Sequence, residues 1–320
     1  MMKALDNLRW SPKWVTHLGC IKGCLDYLGL ELSDAWLYGG TGHAFVLNIA
    51  QDLCPSGPTA WRTMMLFELG RNLGYEFDSV FGWKQEQDLA DLQRRAWEFT
   101  RQQIDEGLPV YGWELEYPEF YVIYGYDEVG YYYSGVAAEE GKGPKPWQEL
   151  GDTPIGLVEI YCLKPGRAQD AAVVVRSALE KALRHASNPK EWILDGYSSG
   201  LKGFDAWTTA LESGKANRLG LGYNAAVWAE CRQYAVGFLR EAKDRLNGRA
   251  SALFDEALDR YQVVATRLSQ VSEIYPHDPG ARDTTVQADE NRQAAVGSLR
   301  EARDAEAAGL EALRRIAAEL

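Results

Sequence analysis

The sequence predicts an α+β protein in two parts, with helices followed by an antiparallel sheet over residues 1–164 and an all-α helical bundle over residues 165–320. Three observations predict this. A chain of 320 residues exceeds what one hydrophobic core usually spans. Segments with the composition of strands are confined to the first part, whereas helical periodicity runs through the second. Helices precede a series of strands in the first part, an order typical of α+β folds rather than of βαβ units.

The first part opens with a predicted buried helix over residues 17–29. Cys20 and Cys24 lie on its apolar side, and Gly29 is a favourable residue at the end of a helix. Glycines before an aromatic segment let another group approach the backbone closely. The further predictions for this region are a glycine-rich turn over 39–42, a buried strand over 43–49, and helices over 65–73 and 85–104.

The pattern then changes to short strands and later returns to helices. Aromatic and β-branched runs separated by Pro or Gly turns predict strands over 108–115, 119–127, 130–135 and 155–163. Helical spacing of apolar residues predicts helices over 169–187, 203–213, 222–246, 251–275 and 289–320. Short connections between these helices favour antiparallel packing.

Charge and aromatic content indicate which partners suit the first part. The net charge is −12, and residues 1–165 hold 13 Lys and Arg against 24 Asp and Glu. Such a surface repels phosphate backbones and anionic lipid, so nucleic acid and membranes are poor partners. Because 26 of the 37 aromatic residues also lie in residues 1–165, a cationic or sugar-like small molecule fits this part better.

The cysteines and the apolar runs indicate the compartment. Five scattered cysteines argue against a disulfide framework and favour free thiols. No apolar run approaches the length of a membrane helix, and the first residues lack the apolar core of a secretory signal. We therefore expect a soluble cytoplasmic protein.

One ordered set of motifs resembles a known family. The cysteine-bearing helix is followed by GLELSDAWLYGGTGHAF (29–45), and a later strand ends in YVIYGYD (121–127). This order resembles the N-terminal domain of the butirosin biosynthesis protein H family, which has a papain-like fold, and more remotely the bacteriocin-processing cysteine peptidases. The resemblance covers about residues 14–163, and the second part is similar to the helical region that follows in that family.

The resemblance implies a thiol nucleophile at the start of the first helix and a His on a later strand that activates it. With Gly29 as the anchor, the nucleophile position falls near Thr16, and Cys20 lies one turn later. Glu119 and Phe120 occupy the region of the activating His, and Ser134 stands where an orienting Asp is expected. Two of the three catalytic roles are therefore empty.

The remaining candidates can be assigned to an alternative site. Cys20 is the candidate nucleophile, His17 or His43 its base, and Glu119 an orienting or acidic group. Each also has a packing interpretation, since free Cys is usually buried and Tyr often packs in sheets. We predict that His17, Cys20, His43, Glu119 and Tyr121 converge on one cavity. The candidate ligand-binding residues are Gly40, Gly42, Tyr121 and Tyr126.

Three functions follow from these patterns. The first is a papain-like protein with a degenerate catalytic site that binds or modifies a small polar, amine-like or sugar-like molecule. The second is an active Cys-dependent acyltransferase or amidohydrolase, for which the resemblance implies an acyl carrier protein as partner. The third is a scaffold that forms homodimers through its C-terminal helices. Neither a metal nor a cofactor is expected, because zinc-ligand spacing, Walker, dinucleotide, HExxH and GxSxG motifs are missing.

Overall fold

The structure is a computed structural model that describes residues 2–214, 216–281, 286 and 290–320. The chain divides into two compact units. The first unit contains Met1–Leu32 and Gly74–Arg167, and the second contains Ser33–Leu73 and Ala168–Leu320. Each unit is therefore built from two separate stretches of the chain.

The described secondary structure is mixed, which confirms the predicted combination of helices with an antiparallel sheet. The helices are α1 (Thr16–Tyr27), α2 (Asp34–Gly40), α3 (Met64–Leu73), α4 (Leu89–Asp105), α5 (Ala171–Ala186), α6 (Gly200–Glu212), α7 (Arg218–Arg245), α8 (Ser251–Ile274) and α9 (Glu290–Glu319). The strands are β1 (Lys3–Ala4), β2 (Asn48–Ala50), β3 (Tyr75–Trp83), β4 (Val110–Trp113), β5 (Phe120–Tyr126), β6 (Gly130–Ser134), β7 (Lys142–Pro146), β8 (Leu157–Pro165) and β9 (Tyr197–Ser199).

The first unit is organised around a seven-stranded antiparallel sheet. Its strand order is β3-β8-β4-β5-β6-β7, and β1 pairs with the end of β5. The registers set Glu159 opposite Phe81 and Tyr161 opposite Tyr111. These pairings fix which side chains share a face of the sheet, because successive residues of a strand point to opposite faces.

Helices α1 and α4 cover opposite faces of this sheet. His17 of α1 stacks on Phe120 of β5, with 3.9 Å between ring centroids. Trp97 of α4 meets the edge of Tyr131 in β6, at 5.2 Å between centroids. Tyr121, the next residue after Phe120, faces Tyr133, which lies on the same side of β6 as Tyr131. The sheet therefore has an α1 face and an α4 face.

The second unit is largely helical. The three long helices α7, α8 and α9 pack in sequence, and α2 packs on α7. Fully buried aromatic side chains, among them Trp207 and Trp228, fill its core. A two-stranded sheet joins β2 to β9, so the segment 33–73 is bonded into the helical unit by backbone as well as by side chains.

The fold differs from the sequence prediction in several places. The segment 33–73, assigned above to the first part, belongs to the second unit, because α2 packs on α7 and β2 pairs with β9. Helix α2 and strands β1, β3, β7 and β9 were not predicted, and the predicted strand over 43–49 is a single 3-10 turn at His43–Phe45 followed by the short β2. Asp289, at the start of the last predicted helix, lies outside the described residues.

Candidate functional site

A hydrogen bond joins the start of α1 to the start of β5. Thr16, the first residue of α1, donates its hydroxyl to the Glu119 carboxylate, with 2.5 Å between Oγ1 and Oε2. The same Oγ1 accepts the backbone N–H of Phe120 at 3.2 Å. Thr16 is only 4% exposed. The structure therefore brings together the two residues that stand near the nucleophile and base positions of the sequence motif.

The first turn of α1 provides a favourable setting for a carboxylate. Val15 precedes the helix without a side-chain cap, and no acidic residue lies in the first turn. The N–H groups at a helix N-terminus carry a partial positive charge. Glu119, the residue before β5, reaches this end of α1 through Thr16, so a carboxylate from outside the helix lies where the helix dipole favours a negative charge.

His17 follows Thr16 and lies against three strands on the α1 face. Its Nε2 is 3.0 Å from the Tyr111 hydroxyl. Its ring stacks on Phe120 and, at 5.7 Å between centroids, on Tyr161. The side chain is 4% exposed. The predicted base is thus hydrogen-bonded to a phenol of β4.

Cys20 lies one turn further along α1 and is fully buried. Burial raises the pKa of its thiol well above the ordinary value, and the neighbouring Cys24 and Glu119 act in the same direction with smaller effect. Within the described part of the chain, the Cys20 sulfur makes no hydrogen bond to an imidazole. Reactive thiols need an accessible, electropositive setting. The nucleophile role of Cys20 stays a prediction, and these surroundings favour packing instead.

We expect Cys20 to resist alkylation in the folded protein. All five cysteines are free, as predicted, and Cys54 is the one that is partly exposed. Brief treatment with iodoacetamide at pH 7.5 should label Cys54 roughly 100-fold faster than Cys20, because Cys20 reacts only through opening of the fold. Peptide mass spectrometry measures both rates in one sample. Equal labelling of the two thiols would instead support a nucleophile at Cys20.

The two predicted ligand-binding tyrosines lie on the α4 face, away from His17. Tyr121 is fully buried, and its hydroxyl accepts the backbone N–H of Tyr117 at 3.1 Å. Tyr126 donates to Asp105 of α4 at 2.6 Å and meets the edge of Trp97. The structure therefore does not bring Tyr121 to the face that carries Thr16, His17 and Cys20.

The two predicted glycines and His43 belong to the second unit. A Cβ on Gly40 would lie 2.6 Å from a methyl group of Leu73, so α2 packs on α3 too closely for a larger residue unless Leu73 shifts. Gly42 has a φ of +74°, a left-handed conformation that glycine adopts without strain. These contacts account for the glycines through packing within their own unit. The sequence alone did not show that this segment leaves the first unit.

His43 contacts a cysteine that sequence analysis did not single out. Its Nδ1 lies 3.6 Å from the Cys231 sulfur on α7. Burial lowers the pKa of His43 to about 3, and the nearby Arg232 charge adds to this effect. Burial raises the pKa of Cys231 well above its usual value. Both groups are therefore neutral at pH 7, unlike the thiolate and imidazolium of a reactive pair.

His185 is a second fully buried histidine in this unit. Its ring meets Trp61 edge-on at 5.0 Å, and neither ring nitrogen has a hydrogen-bond partner among the described atoms. Burial lowers its pKa to about 3, with smaller contributions from His43 and Arg232. The spacing of apolar residues over 169–187 places His185 on the buried side of a helix. This pattern could have predicted a buried histidine.

Glu159 is a buried acid of the first unit that sequence analysis did not single out. It lies in β8 on the α1 face, is 7% exposed, and accepts a hydrogen bond from the Tyr161 hydroxyl. Burial raises its pKa to about 7, partly offset by the bond from Tyr161. In the sequence it interrupts the apolar run IGLVEIYCL (155–163). A charged residue within an apolar strand is unusual, and this was the sequence signal that could have predicted a buried acid.

Comparisons with known proteins return no matching family model and no matching curated protein. Over the residues that the structure describes, no three His, Cys, Asp or Glu side chains lie close enough together to hold a metal ion. A search of the same residues finds no helix with both the length and the apolar character needed to cross a bilayer.

Proposed function

We propose that this chain is a papain-like protein in which the Thr16–Glu119 pair replaces a Cys–His pair, and that its first unit binds a small polar molecule without thiol chemistry. The observation that carries the proposal is the contact itself. The two residues are 103 positions apart in sequence, yet their side chains meet at the start of the helix, at 2.5 Å.

The chemistry of this pair favours binding over covalent catalysis. The Thr16 hydroxyl donates to Glu119 and accepts from the Phe120 N–H. An alcohol is a much weaker acid than a thiol, and a carboxylate is a weaker base than an imidazole, so the pair makes a poor nucleophile. Its carboxylate and hydroxyl can instead orient a neutral or cationic polar ligand. The acidic balance of the first 165 residues supports the same class of ligand.

Restoring the replaced pair tests the proposal. In a Thr16→Cys/Glu119→His variant, the new thiol sits at a helix N-terminus beside an imidazole, so its pKa should fall. We expect iodoacetamide to alkylate it about tenfold faster at pH 6 than in Thr16→Cys/Glu119→Gln, since a larger thiolate fraction outweighs lower nucleophilicity. Mass spectrometry of the labelled peptide over pH 4–9 measures the rate profile.

The Gln variant is the matched control, because it removes the carboxylate charge without adding a base. The thiol occupies the same 4%-exposed position in both variants, so burial slows both alkylation rates alike and their ratio reports the effect of the imidazole. Circular dichroism should show that both variants keep the wild-type fold. If the alkylation rates of the two variants coincide across the pH range, positions 16 and 119 are not arranged as a thiol and its activating base. The papain-like interpretation then fails.

The alternative is an active acyltransferase or amidohydrolase with Cys20 as nucleophile. The full burial and the raised pKa of Cys20 weigh against it. The two functions differ in the effect of Cys20→Ala. A binding protein should keep its ligand affinity in this variant and lose only some stability, from the small cavity that is left. Loss of an acyl-transfer or hydrolysis activity in the variant would favour the enzyme.

A further inference from the structure

Glu159 lies in a row of side chains that crosses the α1 face of the sheet. On one side it pairs with Phe81 of β3. On the other side, continuing the register of β4 with β8 brings Trp113 alongside it. Tyr161 follows two residues later in the same strand and donates to the carboxylate. Because directly opposite and i, i+2 side chains share a face, three aromatic groups flank this one acid.

Among the described residues, no basic side chain neutralises the Glu159 carboxylate. Across the described residues it forms no ion pair, and no positive charge contributes to its pKa. Glu114, the other largely buried Glu in this unit, differs because Lys84 and Lys145 lie near enough to act on its pKa and Thr153 donates to it. Burying a carboxylate without a cation is costly. A cation supplied by a ligand would offset that cost.

One end of this row is open to solvent, at Phe81. Glu159 itself is 7% exposed, and its cross-strand neighbour Phe81 is 48% exposed. Trp113 also contacts Phe120, with 5.0 Å between ring centroids. The backbone N–H of Phe120 donates to the Thr16 hydroxyl. The row that contains Glu159 therefore leads along the sheet to the Thr16–Glu119 pair.

We propose that Glu159, with the rings of Phe81, Trp113 and Tyr161, binds the ammonium group of a small organic amine. The carboxylate supplies the opposite charge, and aromatic faces attract cations through their quadrupole. This deepens the proposed function, on which it rests, by naming the ligand class as a cationic amine. An anion is disfavoured by Glu159, and an uncharged apolar ligand would leave the carboxylate without a partner.

Calorimetric titration with cyclohexylammonium tests this proposal, with cyclohexanol as the uncharged ligand of similar shape. The titration is run at pH 8, above the pKa of Glu159 of about 7, so that the acid is ionised. We expect wild-type protein to bind the amine in the millimolar range or better, and Glu159→Gln to weaken it about tenfold or more. Cyclohexanol should bind equally weakly to both proteins.

Glu116→Gln is the matched control, because it removes a carboxyl of the same unit that is bonded to Tyr133 and Lys142 rather than to the Glu159 row, and it should leave amine affinity unchanged. Three outcomes overturn the proposal: no amine binding, equal binding by Glu159→Gln and wild type, or equal binding of amine and alcohol. The alkylation test of the Thr16→Cys variants is independent of Glu159. If the restored pair is reactive but the amine does not bind, only the amine-site proposal fails. If the amine binds but the restored pair is unreactive, the amine site stands and the papain-like interpretation fails.

Discussion

Replacement of Arg232 by Ala is expected to destabilise the second unit by about 3–5 kcal/mol, because it leaves a buried carboxylate uncompensated. Arg232 and Glu306 are both fully buried and form a bidentate pair, at 2.9 and 3.0 Å. The same guanidinium also donates to the carbonyl oxygens of Ala44 and Val46 at 2.9 and 2.8 Å. One side chain thus bonds α7 to α9 and to the segment 33–73. Urea unfolding of the variant measures the loss.

An exposed ion pair of the same unit is the control. Arg303 pairs with Asp205 at 2.6 Å, but both side chains are more than a third exposed. Arg303→Ala should therefore cost no more than about 1 kcal/mol. Replacing both buried partners, as Arg232→Met with Glu306→Leu, should recover most of the loss, apart from the two carbonyls that stay unbonded. If Arg232→Ala costs no more than Arg303→Ala, the buried pair does not stabilise the unit as argued.

The second unit is also expected to lose about 5 kcal/mol of stability between pH 7 and pH 4.5 through His43 and His185. Burial lowers the pKa of each from 6.5 to about 3 in the folded chain. The unfolded chain therefore binds protons first as the pH falls. The stability is fully present above pH 6.5 and is lost progressively toward pH 3, at about 1.4 kcal/mol per pH unit for each histidine.

Hydrogen exchange at α7 amides in urea, corrected for the intrinsic pH dependence of exchange, measures this slope within the second unit. Such a local probe is needed because Glu159 in the first unit has the opposite sign: its pKa is raised from 4.5 to about 7, so it destabilises as the pH rises through that range. His185→Gln should reduce the α7 slope by about half, whatever it does to stability at pH 7. His277→Gln, at a less buried position with a lowered pKa, should change the slope less. An unchanged slope in His185→Gln would contradict the assignment.

Much of the local structure followed from patterns within single segments. The helix ending at Gly29 is confirmed, with Gly29 at a φ of +71° just after α1. The aromatic strands β4, β5, β6 and β8 were also predicted, since composition and turn residues both marked them. By contrast, β7 contains two Pro and two Lys within five residues, a composition that suits a sheet edge but does not look like a strand.

The errors arose where distant segments determine the structure. The sequence of α2 ends in two glycines, which indicate a turn when read locally, yet Ser33 caps the helix by accepting the Trp36 N–H at 2.9 Å. Packing on Phe238, 199 positions from Gly39, leaves no room for a side chain at Gly39. The Thr16–Glu119 contact could be anticipated only through a family motif. The Glu159 row could not, because it depends on the register of three strands.

The division of the second unit into 33–73 and 168–320 has a consequence for synthesis on the ribosome. Residues of the first unit can complete their sheet once Arg167 has emerged, but 33–73 must wait for β9 and α7. At ~5–20 residues per second, the 153 residues of 168–320 take on the order of ten seconds to translate. During this interval the side chains of Leu37, Phe45 and Leu47, all buried in the finished unit, remain in reach of chaperones and of neighbouring nascent chains.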